Sequence, residues 1–185
     1  MKSFTNILVK KVWGHEHEIY VNKHLAVWCL HINKGEETSL HCHPSKKTCL
    51  ICLSGTAYIQ FLNGDYTVIN EGEKINIHKG VFHKTVARNS DLLLLEVESP
   101  NNKNDLVRLE DKYGRKGLSY EGLDSWEINP KPIQLYYTFE TIGKCRVGLI
   151  DVHLSDNLVN YNSFVCLEGG ITALKDTPVL LPGDA

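Results

Sequence analysis

Three histidines in this 185-residue chain have the residue type and spacing to bind one metal ion. His41 and His43 are two residues apart, and on a β-strand such a pair projects from one face, about 7 Å apart along the strand. Residues 48–53 are β-branched and apolar, which favours a strand nearby. His83 follows a second predicted strand and a turn at Lys79-Gly80. The pair alone could merely lie on a polar edge, but the third imidazole predicts a metal site.

Imidazole nitrogens bind zinc, iron, copper or nickel without selecting among them. We therefore expect a divalent metal cofactor, with zinc, iron, nickel and manganese all open. If the chain is a metal-dependent enzyme, its reaction also needs a group that moves a proton. His78 and Glu96 are the candidates for this catalytic role, because both are close to the histidine motif in the chain.

The elements that must position these residues are short strands. Residues 24–33 are apolar on both faces, as is the run from 91 to 98, which predicts central strands. Asn63-Gly64 is a strong hairpin signal between two further strands. Closely spaced strands without helical periodicity predict an all-β barrel or jelly roll.

Glycines frame the histidines at fixed spacings in two motifs. The residues concerned are Gly35, His41, His43 and Gly55, then Gly72, Gly80, His83 and Asn89. This pattern resembles the two metal-binding motifs of the cupin superfamily, and the resemblance implies a cupin β-barrel. Two positions depart from it: Thr48 stands where the superfamily usually has a carboxylate ligand, and His78 where it usually has proline.

A narrower resemblance covers residues 11–115. The matching runs are Lys11-Val-Trp-Gly14, Ser39-Leu-x-x-His43, Leu53-Ser-Gly-Thr-Ala57, Leu95-Glu-Val-Glu-Ser99 and the stretch DLVRLEDKYGR at 105–115. Together they are similar to the cupin domain of type II mannose-6-phosphate isomerases.

That likeness implies roles for particular residues. His43 and His83 fall on histidine ligands, whereas His41 falls where the family has glutamine. Thr48 again falls where the family has a ligand glutamate. Lys46 replaces an arginine at the barrel mouth, and Lys46 and Arg108 are the candidates for binding the substrate.

The composition changes after residue 115. We predict a cupin barrel over residues 1–115, a linker rich in glycine and polar residues over 116–132, and a β-rich extension over 133–185. The extension resembles part of a degenerate second cupin unit, or else its strands extend or cover the first barrel. Because an incomplete sheet leaves a strand edge uncovered, we expect a homodimer.

Charge and composition limit the partners. The chain has 20 basic and 22 acidic side chains, with a formal net charge of −2 and no basic run that would follow a phosphate backbone, so nucleic acid is not an expected partner. The N-terminal apolar run is too short for a signal peptide or a membrane span, which favours a cytoplasmic protein without a membrane partner. The six cysteines are expected to be reduced.

Three functions are compatible with these features. The first is a metal-dependent isomerase of carbohydrate or polysaccharide metabolism, acting on a sugar phosphate or a nucleotide sugar. The second is an iron dioxygenase with a three-histidine centre. The third is a sugar-binding cupin module without catalytic activity.

Overall fold

A computed structural model describes residues 3–118, 120, 126–128, 144–147, 150–153, 166–167, 171–172 and 178–180. Within these ranges the chain is all-β, as predicted, and contains no helix. Accordingly, the described part of the chain offers no helix with the length and apolar character needed to cross a membrane.

Eleven strands form the N-terminal part of the chain. They are β1 (Ser3–Lys11), β2 (Gly14–Val21), β3 (Ala26–Ile32), β4 (Leu40–Cys42), β5 (Lys47–Ser54), β6 (Thr56–Phe61), β7 (Tyr66–Asn70), β8 (Lys74–Ile77), β9 (His83–Ala87), β10 (Leu92–Ser99) and β11 (Val107–Glu110). Among the described residues that follow, five short strands are present: β12 (Trp126–Ile128), β13 (Lys144–Val147), β14 (Ile150–His153), β15 (Ile171–Thr172) and β16 (Pro178–Leu180).

Two antiparallel sheets face each other to make the predicted jelly roll. The seven-stranded sheet has the order β12-β1-β2-β3-β10-β5-β8, and the five-stranded sheet has the order β11-β4-β9-β6-β7. The core between them contains Trp28 and Leu50 from the first sheet and Ile59, Ile69 and Ala87 from the second. Burial of this apolar layer holds the two sheets together.

Strand β10 is central, as its apolar sequence predicted, because it pairs with both β3 and β5. Successive side chains of a strand point to opposite faces. Leu92 and Leu94 therefore enter the inner core, whereas Leu95 and Val97 lie on the outer face of the seven-stranded sheet. The next inward positions along this strand are both glutamates, so β10 carries charge into the barrel.

Gly55 allows the sharp connection between β5 and β6. Its φ is +89°, and a Cβ atom there would be 2.6 Å from the backbone oxygen of Asp91. Only glycine combines that left-handed backbone with so close an approach. The motif glycine is thus a steric requirement of the fold.

Part of the predicted linker belongs to a sheet. Residues 126–128 form β12, which pairs with β1 at the edge of the seven-stranded sheet. The sequence did not indicate this strand, because the surrounding composition is polar and rich in glycine. Most of the remaining predicted linker, and most of the extension over 133–185, lies outside the described residues, so the domain boundaries and the repeat stay predictions.

Residues of the extension contact the outer face of the barrel. Val152 and Leu167 pack against the apolar cluster that includes Ile19, Leu25 and Ile51. The side-chain amide of Asn22 donates a hydrogen bond of 2.8 Å to the Leu167 carbonyl. The extension thus covers apolar surface of its own barrel.

Candidate metal centre and its cavity

The three predicted histidines lie together in the lining of a cavity in the barrel. His41 lies on β4 directly opposite His83 on β9, and His43 follows β4 by one residue. One potential ligand atom from each residue lies within 4.8 Å of the other two. The structure therefore brings the three histidines that the sequence singled out into one group.

Backbone carbonyls fix the orientation of all three rings. The Nδ1 atoms of His41, His43 and His83 lie 2.7, 2.6 and 3.0 Å from the carbonyl oxygens of Ser39, Asp105 and Val81. A carbonyl only accepts, so each Nδ1 carries the proton and each Nε2 keeps its lone pair. This is the tautomer in which histidine binds a metal through Nε2.

The surroundings also keep the rings neutral. Burial lowers the pKa of His43 to about 4 and lowers the pKa values of His41 and His83 as well. The neighbouring histidines and Lys46 act in the same direction. Neutral, oriented and converging imidazoles fit a divalent transition metal such as zinc or iron.

The cavity in front of the histidines has a volume of about 70 Å³ and is open to solvent on one side. Five basic and three acidic side chains line it among the described residues. They are Lys11, Lys46, Lys103, Arg108 and Arg115, with Glu16, Glu96 and Glu98. This excess of basic groups favours an anionic ligand.

Glu96 presents a carboxyl group that titrates near neutrality. It lies on β10, lines the cavity and is 8% exposed. Burial raises its pKa to about 7, and the neighbouring Glu98 contributes to that rise. Such a group can both take up and return a proton at physiological pH.

Glu98, two residues further along the same face of β10, has the opposite behaviour. Burial alone would raise its pKa, but Lys103 and Lys46 hold the pKa of Glu98 well below its usual range. Its Oε1 lies 2.5 Å from Lys46 Nζ, and its Oε2 lies 3.3 Å from Lys103 Nζ. Glu98 is thus an ionised carboxylate inside the barrel.

Asp105 organises the loop beside the histidines. Its carbonyl orients His43, and its carboxylate accepts hydrogen bonds from the backbone amides of Ser45 and Lys46 at 2.9 Å. These bonds lower the pKa of Asp105 even though burial alone would raise it. The residue therefore holds His43 and the loop that carries Lys46 in one arrangement.

The other residues singled out from sequence lie in the cavity, in the interior away from it, and on the surface. Lys46 is 1% exposed and lines the cavity, as does Arg108, whose Nη1 donates to the Leu118 carbonyl. Thr48 is buried, but it is not among the residues that line the cavity. His78 is exposed after β8 and lies outside the cavity, so Glu96 is the candidate that the structure brings to the site.

Sequence reasoning did not single out Glu98, Lys103 or Asp105. The alternation along β10 could have found Glu98, because it shares a face with Glu96. Asp105 begins the stretch that most resembles the isomerase family, although its two hydrogen-bonding roles require the tertiary structure. Lys103 has no sequence signal of this kind.

The fold and the histidine centre define a cupin. The model of the family described as Mannose-6-phosphate isomerase C-terminal matches residues 3–111, more than half of the chain, and the chain belongs to this family. A curated relative is the mannose-1-phosphate guanylyltransferase ManC of Salmonella typhimurium strain LT2. It is 30% identical over 110 residues, which cover 58% of this chain and 23% of that protein.

Solved structures with a similar fold include three proteins of low sequence identity. The capsular polysaccharide assembling protein CapF of Staphylococcus aureus has a TM-score of 0.49 at 20% identity, covering 56% of this chain and 34% of that one. A Klebsiella pneumoniae protein with a double-stranded β-helix domain has a TM-score of 0.48 at 21% identity, covering 52% of this chain and 84% of that one. A putative sugar phosphate isomerase from Acidithiobacillus ferrooxidans has a TM-score of 0.38 at 22% identity, covering 41% of this chain and 50% of that one.

Proposed function

We propose that this chain is a metal-dependent isomerase of carbohydrate metabolism that acts on a sugar phosphate or a nucleotide-linked sugar, in the cytoplasm. The reaction would interconvert an aldose and a ketose. Membership of the Mannose-6-phosphate isomerase C-terminal family supports this class of substrate. The match to a mannose-1-phosphate guanylyltransferase supports it as well.

The observation that carries the proposal is the arrangement of the cavity. Three neutral histidines converge at one wall, a carboxyl group with a pKa of about 7 faces the same space, and basic side chains line it. These are the parts that an isomerisation needs: a metal site, a proton carrier and a binding site for an anion.

His41, His43 and His83 would hold the metal ion through Nε2. When bound, a divalent ion supplies Lewis acidity toward the carbonyl and neighbouring hydroxyl oxygens of a sugar. Glu96 would accept the proton from the carbon that carries the hydroxyl and return it to the adjacent carbonyl carbon, while the hydroxyl proton passes to the former carbonyl oxygen. Its pKa near neutrality suits both transfers, because neither protonation state is strongly favoured.

Lys46 and Arg108 would bind the anionic part of the substrate. Both are buried, with 1% and 8% exposure, and both line the cavity. Arg108 lies on β11 opposite His41 on β4, so its strand places it beside the metal centre. A guanidinium can bind a phosphate through two parallel hydrogen bonds, whereas an ammonium acts as a compact charge.

The test begins with elemental analysis of protein purified without added metal. A thermal-shift screen of sugar phosphates and nucleotide sugars follows, and each ligand that binds is assayed for isomerisation by product analysis. We expect His83→Ala to lose the metal and Glu96→Gln to keep the metal but lose turnover. His24→Ala is the matched histidine control, because His24 is exposed and outside the cavity.

Other outcomes would select the remaining functions. Bound iron together with ligand-dependent oxygen consumption would replace the isomerase with a three-histidine dioxygenase. A metal-free protein that still binds sugars would indicate a sugar-binding module. Retention of isomerase activity in Glu96→Gln would reject Glu96 as the proton carrier.

A further inference from the structure

The cavity in this structure is too small for the ligand that its charges favour. Its volume of about 70 Å³ is room for a few water molecules. Pockets that bind small molecules usually enclose roughly 300 to 1,000 Å³. Much of its wall is formed by strands that are hydrogen-bonded within the two sheets, among them β2, β4 and β10. Space for a sugar phosphate is therefore most readily gained where the lining is not strand.

A short segment after β11 is such a part of the lining. It comprises residues 112–118 together with Tyr120, and we call it the strap. Residues 112–118 form turns and loop rather than strand. Arg115 and Tyr120 of the strap line the cavity. Movement of the strap would therefore change the size of the cavity.

The first half of the strap is anchored to the barrel. Tyr113 packs against the inner core, and its hydroxyl donates a hydrogen bond of 2.5 Å to Glu36 Oε2. The carboxylate of Asp111 accepts hydrogen bonds of 3.0 and 2.7 Å from the backbone amides of Tyr113 and Arg115. Because these bonds lie on both sides of Gly114, they hold this half in place.

The second half begins at a glycine that permits rotation. Gly117 has a φ of +73°, and a Cβ atom there would meet no atom within 4 Å beyond its chain neighbours. Glycine therefore serves the backbone conformation here and not close packing. Beyond it, the Leu118 carbonyl accepts a hydrogen bond of 2.9 Å from Arg108 Nη1, and the Tyr120 hydroxyl donates to Glu16 Oε1. The Leu118 side chain is 60% exposed, so lifting it uncovers little buried apolar surface.

We propose that the strap occupies the binding site of a phosphorylated sugar and is displaced when that ligand binds. This inference rests on the proposed function, because the substrate class is taken from it. The Leu118 carbonyl takes the place of a phosphate oxygen on Arg108. The Tyr120 hydroxyl takes the place of a sugar hydroxyl on Glu16. Glu16 is thereby a further binding residue of the site.

The exchange favours an anionic ligand over the strap. A guanidinium binds a phosphate through two parallel hydrogen bonds between opposite charges, whereas the Leu118 carbonyl is neutral. Departure of Tyr120 also uncovers Lys11 and Lys103, whose ammonium groups lie 3.9 and 5.2 Å from the centroid of its ring. Both lysines line the cavity, so the enlarged site gains positive charge. A phosphorylated sugar therefore gains more from displacement than a neutral sugar does.

Limited trypsin cleavage of the full chain reports the position of the strap. Lys116 is exposed and lies beside Gly117, and cleavage after it requires the strap to leave the barrel. Mannose 6-phosphate should speed this cleavage several-fold, as followed by mass spectrometry, whereas mannose should not. Arg108→Met should speed it without any ligand, because the variant releases Leu118. Arg88→Met is the matched control, since Arg88 is exposed and lies outside the cavity.

The affinity for mannose 6-phosphate gives a second readout. Tyr120→Phe keeps the ring but removes the hydrogen bond to Glu16, so a larger fraction of the protein has a displaced strap before the ligand arrives. The apparent dissociation constant should then fall roughly 10-fold, the effect of one hydrogen bond to a charged group. Tyr58→Phe is the matched control and should bind as the wild type does, because Tyr58 lies outside the cavity.

The role of Glu16 is measured in the background that lacks this bond. Tyr120→Phe/Glu16→Gln is compared with Tyr120→Phe, using mannose 6-phosphate and inorganic phosphate as probes. Loss of Glu16 should weaken binding of the sugar phosphate relative to that of phosphate, because phosphate has no sugar hydroxyl. An unchanged ratio would overturn the role of Glu16.

The outcomes separate this inference from the proposed function. If the wild type binds mannose 6-phosphate but cleavage after Lys116 is unchanged or slower, the strap does not compete with the ligand, and the proposed function stands. Equal or weaker binding by Tyr120→Phe would overturn the inference in the same way. If neither the wild type nor Tyr120→Phe binds a sugar phosphate, the proposed substrate class is rejected and this inference with it.

Discussion

Replacing Glu96 with glutamine should change the free energy of unfolding in a pH-dependent way. The difference between the variant and the wild type should move in favour of the variant as the pH rises. Burial and the neighbouring Glu98 raise the pKa of Glu96 from 4.5 to about 7 in the folded chain. Between these values the folded chain holds a proton that the unfolded chain has lost. The free energy of unfolding therefore falls as the pH rises through this window.

The size of the effect follows from the two pKa values. Raising a pKa from 4.5 to about 7 corresponds to about 3 kcal/mol of stability lost once the pH exceeds the folded value. Between pH 5 and pH 8, integration gives roughly 2 to 3 kcal/mol, because part of the loss already occurs below pH 5. Glutamine has nearly the same shape and no charge, so the variant should escape this loss.

Urea unfolding followed by circular dichroism, with EDTA present, measures the difference at pH 5, 6.5 and 8. The urea concentration at the unfolding midpoint should rise for Glu96→Gln relative to the wild type as the pH increases, while the m-value stays constant. Glu98→Gln is the control. Lys103 and Lys46 keep the pKa of Glu98 low despite burial, so its stabilising effect persists down to low pH. That variant should be destabilised at pH 5 and pH 8 alike. A gap for Glu96→Gln that does not change with pH would refute the reasoning.

Three further predictions concern the supports of the site. Asp105→Ala should weaken Zn²⁺ binding by about 10- to 100-fold, because it frees the loop that carries Lys46; calorimetric titration measures this, and wild-type affinity would contradict it. Gly55→Ala should cost at least about 2 kcal/mol in urea unfolding, since its Cβ would meet Asp91 at 2.6 Å; a smaller loss would show that the turn adapts. Light scattering should detect a homodimer that buries about 1,500 Å² or more, and deleting residues 131–185 should lower the melting temperature; a monomer with an equally stable truncation would contradict both.

The sequence predicted which three histidines come together, because their spacing on strands is a local property. His41 and His83 lie opposite each other because each occupies an inward position of its strand, and the turn glycines bring those strands together. The jelly roll was also predicted, since alternating and fully apolar runs report directly on burial. The cavity could be inferred only as a consequence of that fold.

The remaining features depend on which residues meet across the fold. The burial of Lys46 follows from its pairing with Glu98, 52 residues away, and no local pattern encodes this contact. His78 is near the motif in sequence but follows β8 on the exposed side. Nearness along the chain therefore favoured His78 and Glu96 equally, whereas the barrel brings only Glu96 of these two to the cavity.

The carbonyl bonds that orient the three histidines differ in how far they reach along the chain. His41 and His83 are held by carbonyls two residues earlier, whereas His43 is held by Asp105, which is 62 residues later. Two of the histidines can therefore be oriented as soon as their own strands form, but the third requires the segment after β10 to close over the barrel. A metal ion that binds the completed site would favour the closed segment, by about 2.7 kcal/mol at a free concentration 100 times its dissociation constant. Metal binding would then stabilise the contact between His43, which follows β4, and Asp105, which lies after β10.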